Sequence, residues 1–224
     1  LLISIIITTG LNFIFNSAPL SDDSNFLSFY AKNEFLLFLT LFLLLDLFSY
    51  LLHRTLHYYH LLWRCHCAHH SDLNIDLSTN FRHHPFELIF TWGLTSLFVW
   101  LLKIDITILA AFATISLVIQ MWHHSNTNIN TTIDTYLSYL LVTPKVHKVH
   151  HSSNIGQTNS NYGTIFTVWD RIFGTFTKPS TLTQPINYGL AYFRTPSQQS
   201  FIGVLKQPFN YRQNSRKSSV IPQL

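Results

Sequence analysis

Thirteen histidines occur in this chain of 224 residues, and every one falls between His53 and His151. His53 and His57 stand four apart, one turn along a single helical face. His66, His69 and His70 form H-x-x-H-H, and His147, His150 and His151 repeat that spacing. Each group is a preformed half-cup of imidazole nitrogens. Protonated rings this close would repel one another, and buried unpaired rings cost free energy. A metal ion removes both difficulties, because ligation takes the neutral ring and displaces the proton. An ion takes about four protein ligands. Eight histidines in these groups, with His84 and His124 as further candidates, therefore predict two ions. Imidazole suits iron, zinc, copper and nickel alike, so ligand type leaves the metal open.

The scarcity of carboxylates narrows the chemistry. Only two Glu occur, Glu34 and Glu87. The chain cannot build the Glu-x-x-His set of a ferritin-like di-iron bundle, and it lacks the H-E-x-x-H of zinc proteases. Oxygen activation at iron and hydrolysis at zinc both remain. Hydrolysis wants a nearby general base, and Asp72 and Asp76, the only neighbouring carboxylates, are expected to cap loops.

The elements that carry these groups are greasy. Charged residues make up 11% of the chain, against roughly 25% in soluble domains. Four apolar segments stand out: residues 1–15, 35–52, 86–102 and 104–122. They predict an all-α integral membrane bundle of about four transmembrane helices. The second segment exits at His53, the third enters after His84, and the fourth returns at His123 and His124. All the histidines are thus expected at one membrane face, as a histidine-lined helical cap. That face also carries Arg54, Arg64, Arg82, Lys145, Lys148 and Arg171, so the positive-inside rule makes it cytoplasmic. Three parts are expected: 1–34, an N-terminal membrane segment and loop; 35–180, the membrane domain with its boxes; 181–224, a cytosolic tail. A dispersed net charge of +4 does not suggest nucleic acid as a partner. Cys65 and Cys67 are too close in sequence for a disulfide framework and are expected as free thiols. The only Met is Met121, and the true N-terminus is expected upstream of Leu1.

DLFSYLLHRTLH, LWRCHCAHHSD, FRHHPFE, HHSN, TPKVHKVHHS and NSNYGTIFTVWDRIFGTF occur in that order. Together they resemble the fatty acid hydroxylase / sterol desaturase superfamily of integral membrane enzymes, over about residues 36–180. The resemblance implies a centre of two Fe ions that activates O2 as co-substrate to hydroxylate or desaturate a lipid. Zinc is expected to displace iron during overproduction. By this resemblance His53, His57, His66, His69, His70, His147, His150 and His151 are ligands, completed by His84 and His124. The lipid would come from the bilayer. No flavin, haem or iron–sulfur motif is present in the sequence, so electrons are expected from an external reductase with a ferredoxin or cytochrome.

Other residues carry further expectations. Asp46, inside an apolar segment and seven before His53, is expected to accept from a ligand histidine's other N–H, with Tyr50 joining it. Arg82 and Glu87 are expected to pair. Cys65 and Cys67, flanking His66, are expected to pack. His60, His83 and His123 are expected in supporting or surface positions. Asn161, Tyr162 and Gly163 should shape a turn. A metal transporter is the rival reading; its sites belong near the bilayer midplane, whereas these boxes begin where the apolar runs stop.

Overall fold

The computed structural model describes residues 33–179 and 186–217, which form ten α-helices and one 3-10 helix. Among the described residues the only β pairing is two isolated bridges, Leu141–Phe166 and Ser152–Tyr188. The apolar segment expected at 1–15 lies outside the described residues.

Helix α1, Glu34–Tyr58, starts where the Asn33 side chain accepts from the Leu36 N–H at 3.0 Å. Its 25 residues extend about 37 Å, more than the hydrocarbon thickness of a bilayer. The last turns, which carry His53 and His57, therefore have length to spare beyond the apolar run. Helix α2, His60–His70, follows a break at Tyr59, whose backbone is extended at φ −89 and ψ 118. No Gly or Pro marks this bend. It folds α2 against the end of α1 and turns the two histidine-bearing faces toward each other.

A short 3-10 helix, Leu77–Phe81, follows; Asp76 caps it by accepting from Ser78 N–H at 2.7 Å. Helix α3, Pro85–Leu101, begins with proline at its first position, where no intrahelical N–H is needed. A tight turn then reverses the chain: Lys103 takes a left-handed φ of 51°, and Ile104 N–H donates to Val99 at 3.0 Å. Asp105 caps helix α4, Ile106–His124. Because α3 and α4 form this hairpin, the start of α3 and the end of α4 return to the level of His53.

Helices α1 and α4 are long and apolar enough to cross a membrane, with mean hydropathy 2.4 and 1.7. Helix α3 is apolar but shorter, at 17 residues. Their shared core includes Phe42, Leu45, Val99, Leu109 and Phe112, with Phe48 stacked on Phe98 at 4.1 Å. Their outer faces leave Leu39, Leu51, Ile89, Leu97, Ile115 and Val118 exposed. Apolar surface on this scale asks for lipid and not water. These helices are those of a membrane protein.

Short helices complete the cap: α5 Thr131–Leu137, α6 Pro144–His150, α7 Ile155–Thr158 and α8 Val168–Ile172. The apolar YLSYLLV stretch ends α5 and turns; it does not span. Helices α9, Pro196–Gln199, and α10, Phe201–Lys217, come last. The stretch expected as a tail covers α2. Trp63 and Cys67 of α2 are buried with Leu190, Tyr192, Phe193 and Tyr211, and Arg64 Nε donates to the Pro208 carbonyl at 2.7 Å. Cys67 is packing material in this cluster, and burial pushes its thiol pKa up.

Candidate metal centre

Nine imidazoles converge in two nests. His53, His57, His66, His70 and His150 form one, and His69, His124, His147 and His151 form the other. Within each nest, one nitrogen from every ring lies within 4.8 Å of all the others. The nests share a wall, for the His70 ring sits 4.6 Å from both His150 and His151.

Each H-x-x-H-H box divides between the nests, although the spacing alone suggested a single face. Residues at offsets 0 and 4 are about 40° apart around a helix, while offset 3 lies about 60–100° from them. His66 and His70 accordingly join the five-histidine nest while His69 turns to the other. In the third box the division is reversed: His147 and His151 enter the four-histidine nest and His150 the five-histidine one. The short helix α6, begun by Thr143 and Pro144, sets that rotation.

The nitrogens face one another. His66 Nε2 lies 3.2 Å from His70 Nε2, and His53 Nε2 lies 3.0 Å from His150 Nε2. In the second nest His124 Nε2 is 3.3, 3.2 and 3.0 Å from the Nε2 atoms of His69, His151 and His147. Nitrogens sharing one ion at about 2.1 Å, in tetrahedral or octahedral angles, would be about 3.0–3.4 Å apart. Neutral rings cannot all donate to one another through the same atom. Four outward nitrogens, Nδ1 of His69, His70, His147 and His151, are also buried without a partner, each costing roughly 1–3 kcal/mol. A cation shared by the facing nitrogens removes the first difficulty and would complete His57 Nε2, which is also buried without a partner, so the residues fit a pair of metal ions. Burial and then neighbouring imidazoles push the pKa values of His69, His70, His147 and His151 well below 6.5, and burial does the same for His150. These five rings are therefore in the neutral, ligating form at pH 7.

One loop backs the five-histidine nest. His150 Nδ1 donates to the Ser160 carbonyl at 2.7 Å and His53 Nδ1 to the Tyr162 carbonyl at 2.9 Å. The His57 Nδ1–Asn159 Oδ1 contact is longer, at 3.3 Å. Asn161, at φ 55°, is buried and bonds to Val146 and Thr177 on either side. The Asp170 carboxylate accepts the N–H groups of Tyr162 and Gly163, both at 2.8 Å. Burial raises the Asp170 pKa to about 6. The loop hugs itself so closely that a Cβ on Gly163 would stand 2.5 Å from the Phe166 carbonyl oxygen.

Several expectations change here. Asp46 touches no histidine; it accepts from Ile165 N–H, Phe166 N–H and Trp169 Nε1 at 3.1, 3.3 and 2.8 Å. It thus anchors the same backing loop, one step removed from the rings. Tyr50 joins neither Asp46 nor His53, its hydroxyl lying 2.9 Å from Thr175 Oγ1. His84 stands outside both nests. Its Nδ1 accepts from Phe86 N–H at 3.2 Å, capping α3, and its Nε2 donates to the Leu205 carbonyl at 3.3 Å. Arg82 does not pair with Glu87 but donates to Ala68, Ser71 and Gln199.

Glu87 does what Asp46 was expected to do. Its Oε1 accepts from His66 Nδ1 at 2.7 Å and from His83 Nδ1 at 2.9 Å. Burial works to lower the His83 pKa, but the Glu87 carboxylate outweighs it and the pKa rises. His83 stacks on His69 at 4.6 Å, and buried His123 stacks on His147 at 3.8 Å. His60 meets Tyr211 edge-on at 5.2 Å. The pull of Glu87, Asn159 and Ser160 on the rings had one visible sign, their place within or beside motifs already singled out.

A cavity of about 260 Å³ opens beside the nests. Ser49, Leu52 and Leu56 of α1, Leu88, Thr91 and Trp92 of α3, and Ser116 and Gln120 of α4 line it, as do His53, His66, His69, His124 and His147. Both nests thus border one space that lies between the apolar helices.

A fatty acid hydroxylase family model matches residues 38–175. Alkylglycerol monooxygenase of Xenopus tropicalis is 33% identical over 153 residues, covering 65% of this chain and 33% of that protein. The Homo sapiens alkylglycerol monooxygenase is 32% identical, with 65% and 33% covered. Ornithine lipid hydroxylase OlsE of Rhizobium tropici is 28% identical over 164 residues, covering 72% of this chain and 46% of its own length. The match thus spans between a third and a half of these relatives. No solved structure matches the chain at a significant level. The family match runs from near the start of α1 to Thr175, past the loop that orients the rings, and the chain belongs to the fatty acid hydroxylase family.

Proposed function

We propose that the chain is an O2-dependent lipid oxidoreductase, a hydroxylase or monooxygenase, whose nine nest histidines hold two iron ions. The observation that carries this reading is the meeting of two buried imidazole nests with one cavity between apolar helices. The relatives, named as an alkylglycerol monooxygenase and an ornithine lipid hydroxylase, support lipid as the substrate class. Bound iron would supply the redox chemistry, using O2, two electrons from the reductase and two protons to insert one oxygen atom at a C–H bond and release the other as water.

The chain's own residues do the rest. Leu52, Leu56, Leu88 and Trp92 give the lipid chain an apolar wall beside the rings. The 159–162 loop and Glu87 fix ring orientation in the five-histidine nest, so donor atoms are held in place before any ion arrives. Burial of both nests keeps bulk water from the reacting C–H. The histidine end faces the cytoplasm in this reading, within reach of a soluble reductase.

The test compares lipid extracts from cells with and without the gene by mass spectrometry, under air and under nitrogen. An oxygenated lipid that needs both gene and O2 is expected. Extracts that match under all conditions overturn the reading. Metal analysis of gently purified protein should give close to two ions per chain, and a value near one removes the pair.

A further inference from the structure

Three residues that line the cavity carry polar atoms to which neither the nests nor the fold gives a hydrogen-bond partner. Asn80 Oδ1, Glu87 Oε2 and both ring nitrogens of His123 are buried without a hydrogen-bond partner, and all three residues line the cavity. Asn80 is 7% exposed, Glu87 4% and His123 1%. Each such atom costs free energy unless something in the cavity completes it.

Their grouping follows from the fold. Asn80 lies in the last turn of the 3-10 helix that packs on α4, the helix that carries His123. His83 joins Asn80 to Glu87, donating one ring nitrogen to Glu87 at 2.9 Å and bonding also to the Asn80 backbone. Glu87 spends Oε1 on the two imidazoles, so Oε2 is left without a partner. Two of the three groups are acceptors, and one bears a negative charge. The other surfaces of the cavity include Leu52, Leu56, Leu88 and Trp92.

We infer that Asn80, Glu87 and His123 form a headgroup subsite that takes a lipid carrying at least two hydrogen-bond donors, as vicinal hydroxyls or a primary ammonium. The inference rests on the lipid-oxidising reading and adds where the polar end of the lipid sits. Oε2 and Oδ1 each accept one donor, and His123 adds a third contact with either of its nitrogens. With the headgroup held beside the rings, the C–H bonds offered to the nests are those next to it, not those deep in the chain. A purely apolar lipid leaves both oxygens bare.

The experiment measures binding to the purified, metal-loaded full chain in detergent, by displacement of a fluorescent lipid. One pair of probes is a saturated alkylglycerol and the alkyl propyl ether that lacks both hydroxyls. A second pair is a long-chain primary amine and the alkane of equal length. Losing a hydrogen bond to a charged or buried acceptor weakens binding about tenfold, so the donor-bearing member of at least one pair should bind at least tenfold more tightly. Which pair shows the larger gap identifies hydroxyl or ammonium as the donor. Asn80→Leu should narrow that gap several-fold with metal content unchanged, and Asn80→Ser should restore part of it. Equal binding of both members in both pairs, or an undiminished gap in Asn80→Leu, overturns the subsite and leaves the three groups to water. Because binding is read without turnover, a preserved gap with no oxygenated product would sink the oxidation reading alone.

Discussion

The two nests differ less in their ligands than in what stands behind them. In the five-histidine nest, four rings have a partner for the nitrogen turned away from the centre: Tyr162 for His53, Asn159 for His57, Glu87 for His66 and Ser160 for His150. In the four-histidine nest only His124 has one, donating to the Gln120 carbonyl at 2.8 Å. His69 and His147 are held instead by stacking, on His83 and His123. A hydrogen bond fixes a ring's rotation and tautomer; a stacked face fixes its plane and leaves the tautomer free. On the proposed reading, one site would be built before a metal arrives, and the other would complete itself around it.

The largest effect should come from removing a ligand at the built site. His150→Ala takes one of five rings and also frees the Ser160 carbonyl. Metal content should fall from two ions per chain toward one and oxygenated lipid should disappear, while the protein stays in the membrane fraction. Two ions retained in that variant would show that the nests do not divide as described.

Next comes Glu87→Leu, which leaves every ligand but strips the acceptor from His66. Loss of such a partner lowers metal affinity about 10- to 100-fold. The loss should be confined to one ion. Equal weakening of both ions would mean that Glu87 supports the fold at large and not the His66 ring.

Chelation reads the comparison directly. Metal should leave purified protein in two phases, with the four-histidine nest emptying first. His151→Ala should abolish the fast phase and His150→Ala the slow one. A single phase would erase the distinction, and the reverse assignment would invert it.

How much of this could be read from the chain depends on distance along it. His53 with His57, and each H-x-x-H-H box, announce themselves because helical spacing is local. The division of each box between nests was hidden, since it depends on how α2 and α6 are rotated against each other. The bend at Tyr59 carries no breaker residue and left no sign. Asp46 was noticed for the right reason, a carboxylate buried among Leu and Phe, yet given the wrong partner. Sequence places it seven residues from His53, while the chain brings Ile165, Phe166 and Trp169 to it from more than a hundred residues away. Glu87 was set aside because Arg82 lies nearby in sequence. In the fold Arg82 faces Gln199, and Glu87 faces two imidazoles.

The smallest effect tests whether backbone or side chain orients the built nest. Ser160 and Tyr162 offer carbonyls, which no substitution removes, and Asp46, Asn161 and Asp170 hold those carbonyls in place. Asn159 offers a side chain, at the longest of the four distances, from an exposed position. A long, solvent-accessible hydrogen bond contributes little beyond what water would replace. Asn159→Ala should therefore weaken the slowly released ion by no more than about threefold and leave the fast phase unchanged. Measured beside Glu87→Leu in the same chelator assay, it separates two sources of order in one nest. A loss as large as that in Glu87→Leu would mean that the His57 ring, and not the carbonyl-held pair His53 and His150, governs the site.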